Sequence, residues 1–134
     1  MSVKNESGIL RKRALAFHDT AEYLLRKDVY DLSCFNAEQA GQLYCKAALL
    51  EIQGEYPRTH SILELLILLT EATGSKHARI QQPNRETLRL LETAYITSRY
   101  FTLKFTREDA EGLISTVKEV FRIVDQIKDN KRKS

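Results

Sequence analysis

VYDLSCFNAEQAGQLYCKAALLEIQGEYPRTH, residues Val29 to His60, reads as one long helix with a marked exit. Leu32, Phe35, Leu43, Leu50 and Ile52 supply bulk, while Ala37, Ala40, Gly41, Ala47 and Ala48 spread small contacts round most of the barrel. A helix that is apolar or small on nearly every face belongs at the centre of a bundle, where small residues let neighbours approach closely. Asp28 or Asp31 is the expected cap at its start, and Gly54 followed by Pro57 the expected stop. Glu38, Gln39, Gln42 and Lys46 interrupt the buried pattern. Gln42 and Lys46 are four apart and Gln39 and Lys46 seven apart, so these groups share roughly one stripe. Polar groups on a central helix need partners, which makes the stripe the first candidate for a site.

Outward from this helix, the chain divides by periodicity and caps. Residues 1–7 are polar and expected to be flexible. From Gly8 to about Lys27, Ile9, Leu10, Leu15, Phe17, Tyr23, Leu24 and Leu25 recur at three- and four-residue steps, as an amphipathic helix requires. The turn to the central helix is very short, so the two should be antiparallel neighbours. Ser61 with Glu64 forms a capping box that opens a shorter apolar helix from Ile62 to about Thr73, closed by Gly74. Residues 75–84 (SKHARIQQPN) read as a loop, after which Asn84 caps a fourth helix to about Lys104 carrying Leu88, Leu91, Tyr95, Ile96 and Leu103. Thr106 and Asp109 give a second capping signal. It opens a fifth helix to about Asp129, with Leu113, Ile114, Val117, Val120, Phe121, Val124 and Ile127 in register. Residues 130–134 form a basic tail expected to fray. The expected fold class is all-α: an up-and-down bundle of four main helices plus one shorter helix, as a single domain over residues 8–129.

Composition narrows the function classes. With 134 residues, 43% hydrophobic and 29% charged, the chain can bury a core without metal or disulfide staples. Lys and Arg number 21 against 18 Asp and Glu, and a net +3 does not mark a nucleic-acid binder. Cys34 and Cys45 lie about 16 Å apart along one helix, beyond disulfide reach, and read as buried free thiols. That usage suits a reducing cytoplasm, the expected location. The longest apolar run, Leu65 to Leu69, is far short of a membrane span, and the N-terminus lacks the apolar core of a signal peptide.

No enzyme motif stands out. Gly8, Gly41, Gly54, Gly74 and Gly112 are scattered, and His18, His60 and His77 lie on separate segments, so neither a phosphate loop nor a metal set is expected. In residues 92–101 (ETAYITSRYF), Tyr95 and Arg99 are four apart and share a face, with Glu92 a turn earlier. If the central and fourth helices pack together, Gln39, Gln42, Lys46, Tyr95 and Arg99 converge on one groove suited to a phosphate and an amide-bearing base. The structural alternative is that Arg99 pairs with Glu38 or Glu92 and Lys46 is solvated. His60 has two readings, a capping or first-turn residue after Thr59 or a groove-lining hydrogen-bond donor.

The order Gln39-Ala40, Lys46-Ala47, then Pro57 to His60 leading into a leucine-rich helix resembles the signature of HEPN domains. Tyr95 to Tyr100 (YITSRY) resembles the family's Tyr-x-x-x-Arg-Tyr segment, with Phe101 where the family usually has Pro. Residues 107–124 resemble its closing helix, and the match spans about Leu15 to Ile127. The resemblance implies a four- to five-helix bundle that dimerises across the groove beside the central and fourth helices. It also implies a minimal nucleotidyltransferase as the partner, in a toxin–antitoxin-type module.

Many HEPN domains are metal-independent ribonucleases using Arg, four to six residues, then His, with His as general base or acid and Arg stabilising the phosphate transition state. After Arg99 those positions hold Lys104, Phe105 and Thr106, and a lysine with an ordinary pKa of about 10.4 is a poor base. Arg13 and His18 have the spacing but lie on the first helix and subtend about 140°. Three functions follow as expectations. The first is a nucleotide-binding partner protein that holds ATP or AMP through Gln39, Gln42, Lys46, Tyr95 and Arg99 and has no other cofactor. There Tyr95 and Tyr100 are candidate sites of nucleotidylation. The second is a ribonuclease acting on RNA through Arg99 with Lys104 or His60. The third is a non-catalytic dimeric scaffold.

Overall fold

The computed structural model describes residues 2–74 and 105–133. Among the described residues are four helices: α1 (Val3–Arg26), α2 (Tyr30–Gln53), α3 (Ile62–Thr73) and α4 (Arg107–Lys133). Among the described residues there is no strand, so the all-α expectation holds. The α4 helix is the expected closing helix; the helix expected over residues 84–104 lies outside the described residues. No helix among the described residues is long and apolar enough to cross a membrane.

The α2 helix is central, packing against α1, α3 and α4. Cys34, Ala37, Ala40, Cys45 and Leu49 are fully buried on it. Around it, Ile62, Leu65 and Leu69 of α3 and Leu113, Val117, Val120 and Val124 of α4 are also at 0% exposure. Each large side chain so buried contributes about 1.5–3 kcal/mol relative to exposure. The partner face of α1 matches the expected one in part: Phe17 and Leu25 pack against the core. Its buried residues are Ser7, Ala14, His18 and Ala21, a stripe of mostly small side chains. Ile9, Leu15 and Tyr23 are 39%, 46% and 52% exposed. The heavier residues were expected inward; small residues win because α1 lies close against α2, where Ser33 Oγ donates to the Ala21 carbonyl at 2.7 Å.

Three helix ends depart from expectation. First, α1 begins at Val3, inside the stretch expected to be flexible, because the Ser2 hydroxyl accepts from the Asn5 amide at 3.2 Å. Second, α4 continues to Lys133, through most of the basic tail expected to fray. Third, neither Asp28 nor Asp31 caps α2. The N-cap is Val29, with no side-chain hydrogen bond. Asp28 instead occupies the left-handed region at φ 61°. There it closes α1, its amide reaching the Leu25 carbonyl at 3.1 Å and the Val29 amide the Leu24 carbonyl at 2.9 Å. Asp31 accepts from the Phe105 amide at 3.0 Å, tying α2 to the start of α4.

The expected signals hold elsewhere. Gly54 ends α2 at φ 82°, a conformation that glycine adopts without a Cβ clash. At α3, Ser61 Oγ accepts from the Glu64 amide at 3.1 Å. Thr59 Oγ1 adds to that cap by accepting from the Ser61 amide at 3.1 Å and donating to the Glu64 carboxylate at 2.7 Å. At α4, the Thr106 amide donates to Asp109 at 2.9 Å and the Asp109 amide to Thr106 Oγ1 at 3.1 Å. Both strong caps fix where the loop Gly54–Ser61 and the α4 entry sit against α2.

Candidate functional site

The polar stripe of α2 resolves into Glu38, Gln42 and Lys46, one helical turn apart. Glu38 is fully buried and Gln42 is 3% exposed. The Gln42 side-chain amide donates to both carboxylate oxygens of Glu38, the bond to Oε2 measuring 2.9 Å. That engagement fixes the direction of the amide, since its NH2 group faces a carboxylate that can only accept. The Gln42 Oε1 atom therefore points the other way. Lys46 Nζ donates to it at 3.4 Å, and His60 Nδ1 lies at the same 3.4 Å. With an amide oxygen opposite, Nδ1 of a neutral His60 carries the proton, leaving Nε2 as the basic nitrogen.

Each part is placed by its local fold. The α2 helix carries Glu38 inward on its central face. The Gly54 turn and the caps on α3 return the chain so that His60, just before the N-cap Ser61, comes back beside Gln42. Tyr56, from the same loop, lies with its ring centroid 5.7 Å from Lys46 Nζ, a cation–π contact. Burial lowers the Lys46 pKa from the ordinary 10.5, while the Glu38 charge, and to a lesser extent Cys45, pull it back up. Chemically, the stripe is a buried anion that orients an amide, which in turn steadies an ammonium and an imidazole near the surface. Such an edge suits an anionic group.

Of the residues expected at the site, Gln42 and Lys46 come together. Gln39 is half-buried and takes no part in this hydrogen-bond cluster among the described residues. Tyr95, Arg99, Tyr100 and Lys104 lie outside the described residues. Ser61, not His60, caps α3, and His60 sits beside Gln42; the other wall of the groove it was expected to line lies outside the described residues. Two members were not expected, Glu38 as a buried organiser and Tyr56 as an aromatic neighbour. Tyr56 carried a signal, being an aromatic ring in a polar loop between Gly54 and Pro57.

Other polar groups serve packing. Arg13 is exposed and His18 is 8% exposed, so the second Arg–His spacing forms no joint site. His18 packs on Phe121 at 5.4 Å, and Tyr44 stacks on Phe121 at 4.1 Å. Tyr44 also donates to Asp125 at 2.5 Å; burial first and this bond second push its pKa well up. Glu51 joins three helices by pairing with Arg11 of α1 and, at 2.9 Å, Lys128 of α4. His18, Asp19 and Glu22 place ligand atoms within 4.8 Å of one another. Glu22, however, faces His18 Nδ1 at 3.1 Å and Lys118 Nζ at 3.9 Å, so a metal ion would compete with an ammonium there. Cys34 and Cys45 are free and buried, and burial pushes both thiols up to about 12, which removes them as nucleophiles.

The family model for the HEPN domain matches residues 8–128. The crystal structure of TT1696 from Thermus thermophilus is similar in fold, with TM-score 0.76 and 24% identity, over 92% of this chain and 98% of that one. ST0689, an archaeal HEPN homologue, is similar with TM-score 0.66 and 25% identity, over 90% of this chain and 97% of that one. No curated protein matches the chain significantly.

Proposed function

This chain belongs to the HEPN domain family, and from that premise we propose that it binds the phosphate of a nucleotide such as ATP or AMP at the Lys46–His60 edge of α2. The observation that carries this reading is the fully buried Glu38 carboxylate, which orients Gln42 and through it Lys46 and His60. A charge is costly to bury, and one that through Gln42 sets the aim of the Lys46 ammonium gives that cost a function. Gln42 is then a positioning residue, Lys46 meets the anion and His60 lines the edge beside it. Arg99 and Tyr95 are proposed as further ligands, and Tyr95 and Tyr100 as acceptors of a nucleotidyl group. In this reading the protein works as a homodimer beside a minimal nucleotidyltransferase, in a toxin–antitoxin-type module in the cytoplasm.

Calorimetry with AMP and ATP tests it. Wild-type protein should bind saturably, Arg99→Ala should lose binding, and Lys46→Ala should weaken it by roughly tenfold or more, the loss of one charge-assisted bond. Because burial holds the Lys46 pKa below 10.5, affinity should fall as pH rises, starting below the ordinary lysine range. The ammonium loses its proton earlier than a solvated one. Absence of saturable binding by wild-type protein overturns the reading.

One observation favours a second reading, cleavage of RNA without a metal. The bond to Gln42 leaves His60 Nε2 as the basic nitrogen, next to the Lys46 ammonium. Purified protein should then cut RNA, and both His60→Ala and Arg99→Ala should abolish cutting. Cleavage that survives both substitutions comes from another protein in the sample.

A further inference from the structure

The Tyr56 ring is shared by two places. One is the Lys46 ammonium, 5.7 Å from the ring centroid. The other is a groove between the first turns of α1 and the end of α2, which Tyr56 lines with Glu6, Ile9, Arg13 and Leu50. Tyr56 and Ile9 are each 39% exposed, an apolar pair left open to water beside a candidate anion site. We infer that this groove is the base subsite of that anion site: a nucleotide whose phosphate meets Lys46 lays its nucleobase on Tyr56, against Ile9. The inference rests on the phosphate reading above and adds what the site recognises beyond phosphate.

Three features fit a base better than another ligand. A planar aromatic wall with an aliphatic side is what a stacked base requires, and a base has the π-face to match. Charge fixes the direction of binding. The Glu6 carboxylate lies in the groove and disfavours a phosphate there, while it can accept from an exocyclic amino group. The Lys46 ammonium marks the phosphate end. The Arg13 guanidinium, exposed on the groove wall, can stack on the base plane. Tyr56 also sits between the αL turn at Gly54 and Pro57, so the loop that carries the platform is conformationally restricted before a ligand arrives.

The test compares AMP with ribose 5-phosphate, which has the phosphate and sugar but no base, in calorimetric titrations of the full chain. Wild-type protein should bind AMP roughly 5- to 150-fold more tightly than ribose 5-phosphate, the range for one stacked base. In Tyr56→Leu that ratio should collapse to about 1, whatever loss both ligands share through the Lys46 contact; Tyr56→Phe should keep the ratio. The groove inference is overturned if the ratio survives Tyr56→Leu. It is also overturned, with the phosphate reading left standing, if wild-type protein binds both ligands equally and Lys46→Ala weakens both. If neither ligand binds wild-type protein, the groove inference and the phosphate reading fall together.

Discussion

Gln42→Leu is expected to lower the unfolding free energy by about 3 kcal/mol in urea denaturation, as one cooperative transition. Leucine has nearly the volume of glutamine, so the change leaves little cavity and isolates the polar loss. What is lost is two hydrogen bonds to a fully buried carboxylate. Bonds to charged groups contribute about 1.5–3 kcal/mol each, and a buried charge cannot recover them from water. The substitution also removes the oxygen that Lys46 and His60 share, so nucleotide affinity should fall with stability. A second variant separates the charge from the shape. In Glu38→Leu/Gln42→Leu the carboxylate that lost the Gln42 amide is gone too, and the double variant should lose less than the sum of the two single variants, by about 1–3 kcal/mol. A Gln42→Leu protein within about 0.5 kcal/mol of wild type would show that the amide has no such role.

This organiser was only half legible in the sequence. The periodicity of α2, its Gly54 stop, the Ser61 and Thr106 caps and the apolar register of α4 are local signals, and local chemistry is enough to produce them. Burial of Glu38 is not local. A glutamate on a helix normally faces water, and the neighbours that bury one are a tertiary fact that its own helix does not encode. The stripe was therefore visible at Gln42 and Lys46, while its anchor read as an alternative partner for Arg99. The face of α1 was legible only in part, at Phe17 and Leu25, for a related reason. Hydrophobicity favoured Ile9, Leu15 and Tyr23, but the bundle selects by fit, and the close contact with α2 admits Ser7, Ala14 and Ala21. At the start of α1, Ser2 is followed at the third helical position by Asn5 rather than Glu or Gln, so the familiar capping-box signature was missing although the hydroxyl cap forms. At the α1–α2 turn, Asp28 looked like a cap because aspartate often is one. The same short polar side chain also tolerates φ 61°, and that use prevailed.

Gly41 is where fit is tightest, and Gly41→Leu is expected to cost about 3 kcal/mol or more. A Cβ built on Gly41 lies 2.7 Å from Ile62 Cδ1 and 3.6 Å from Val117 Cγ2. Both neighbours are at 0% exposure, so neither has solvent to swing into. Gly41 thus sets the spacing of α2 to α3 and α4 at once. The smaller change sets two opposing effects against each other. In Gly41→Ala the helix gains up to about 1 kcal/mol of propensity, but Ile62 must leave its rotamer, which costs about 0.5–1.5 kcal/mol, so the net effect is close to zero. Ile62→Val deletes the clashing Cδ1 carbon. In that background Gly41→Ala should stabilise by about 0.5–1 kcal/mol, the propensity gain without the clash. The site should feel the same contact. Gly41 precedes Gln42, and Ile62 opens α3 two residues after His60, so forcing the helices apart at Gly41 moves His60 away from Gln42. Gly41→Leu should therefore weaken AMP binding as well as folding, whereas Gly41→Ala/Ile62→Val keeps both. A Gly41→Leu protein with wild-type urea midpoint and wild-type AMP affinity would mean that α2 and α3 are not held at the separation from which the His60–Gln42 contact follows.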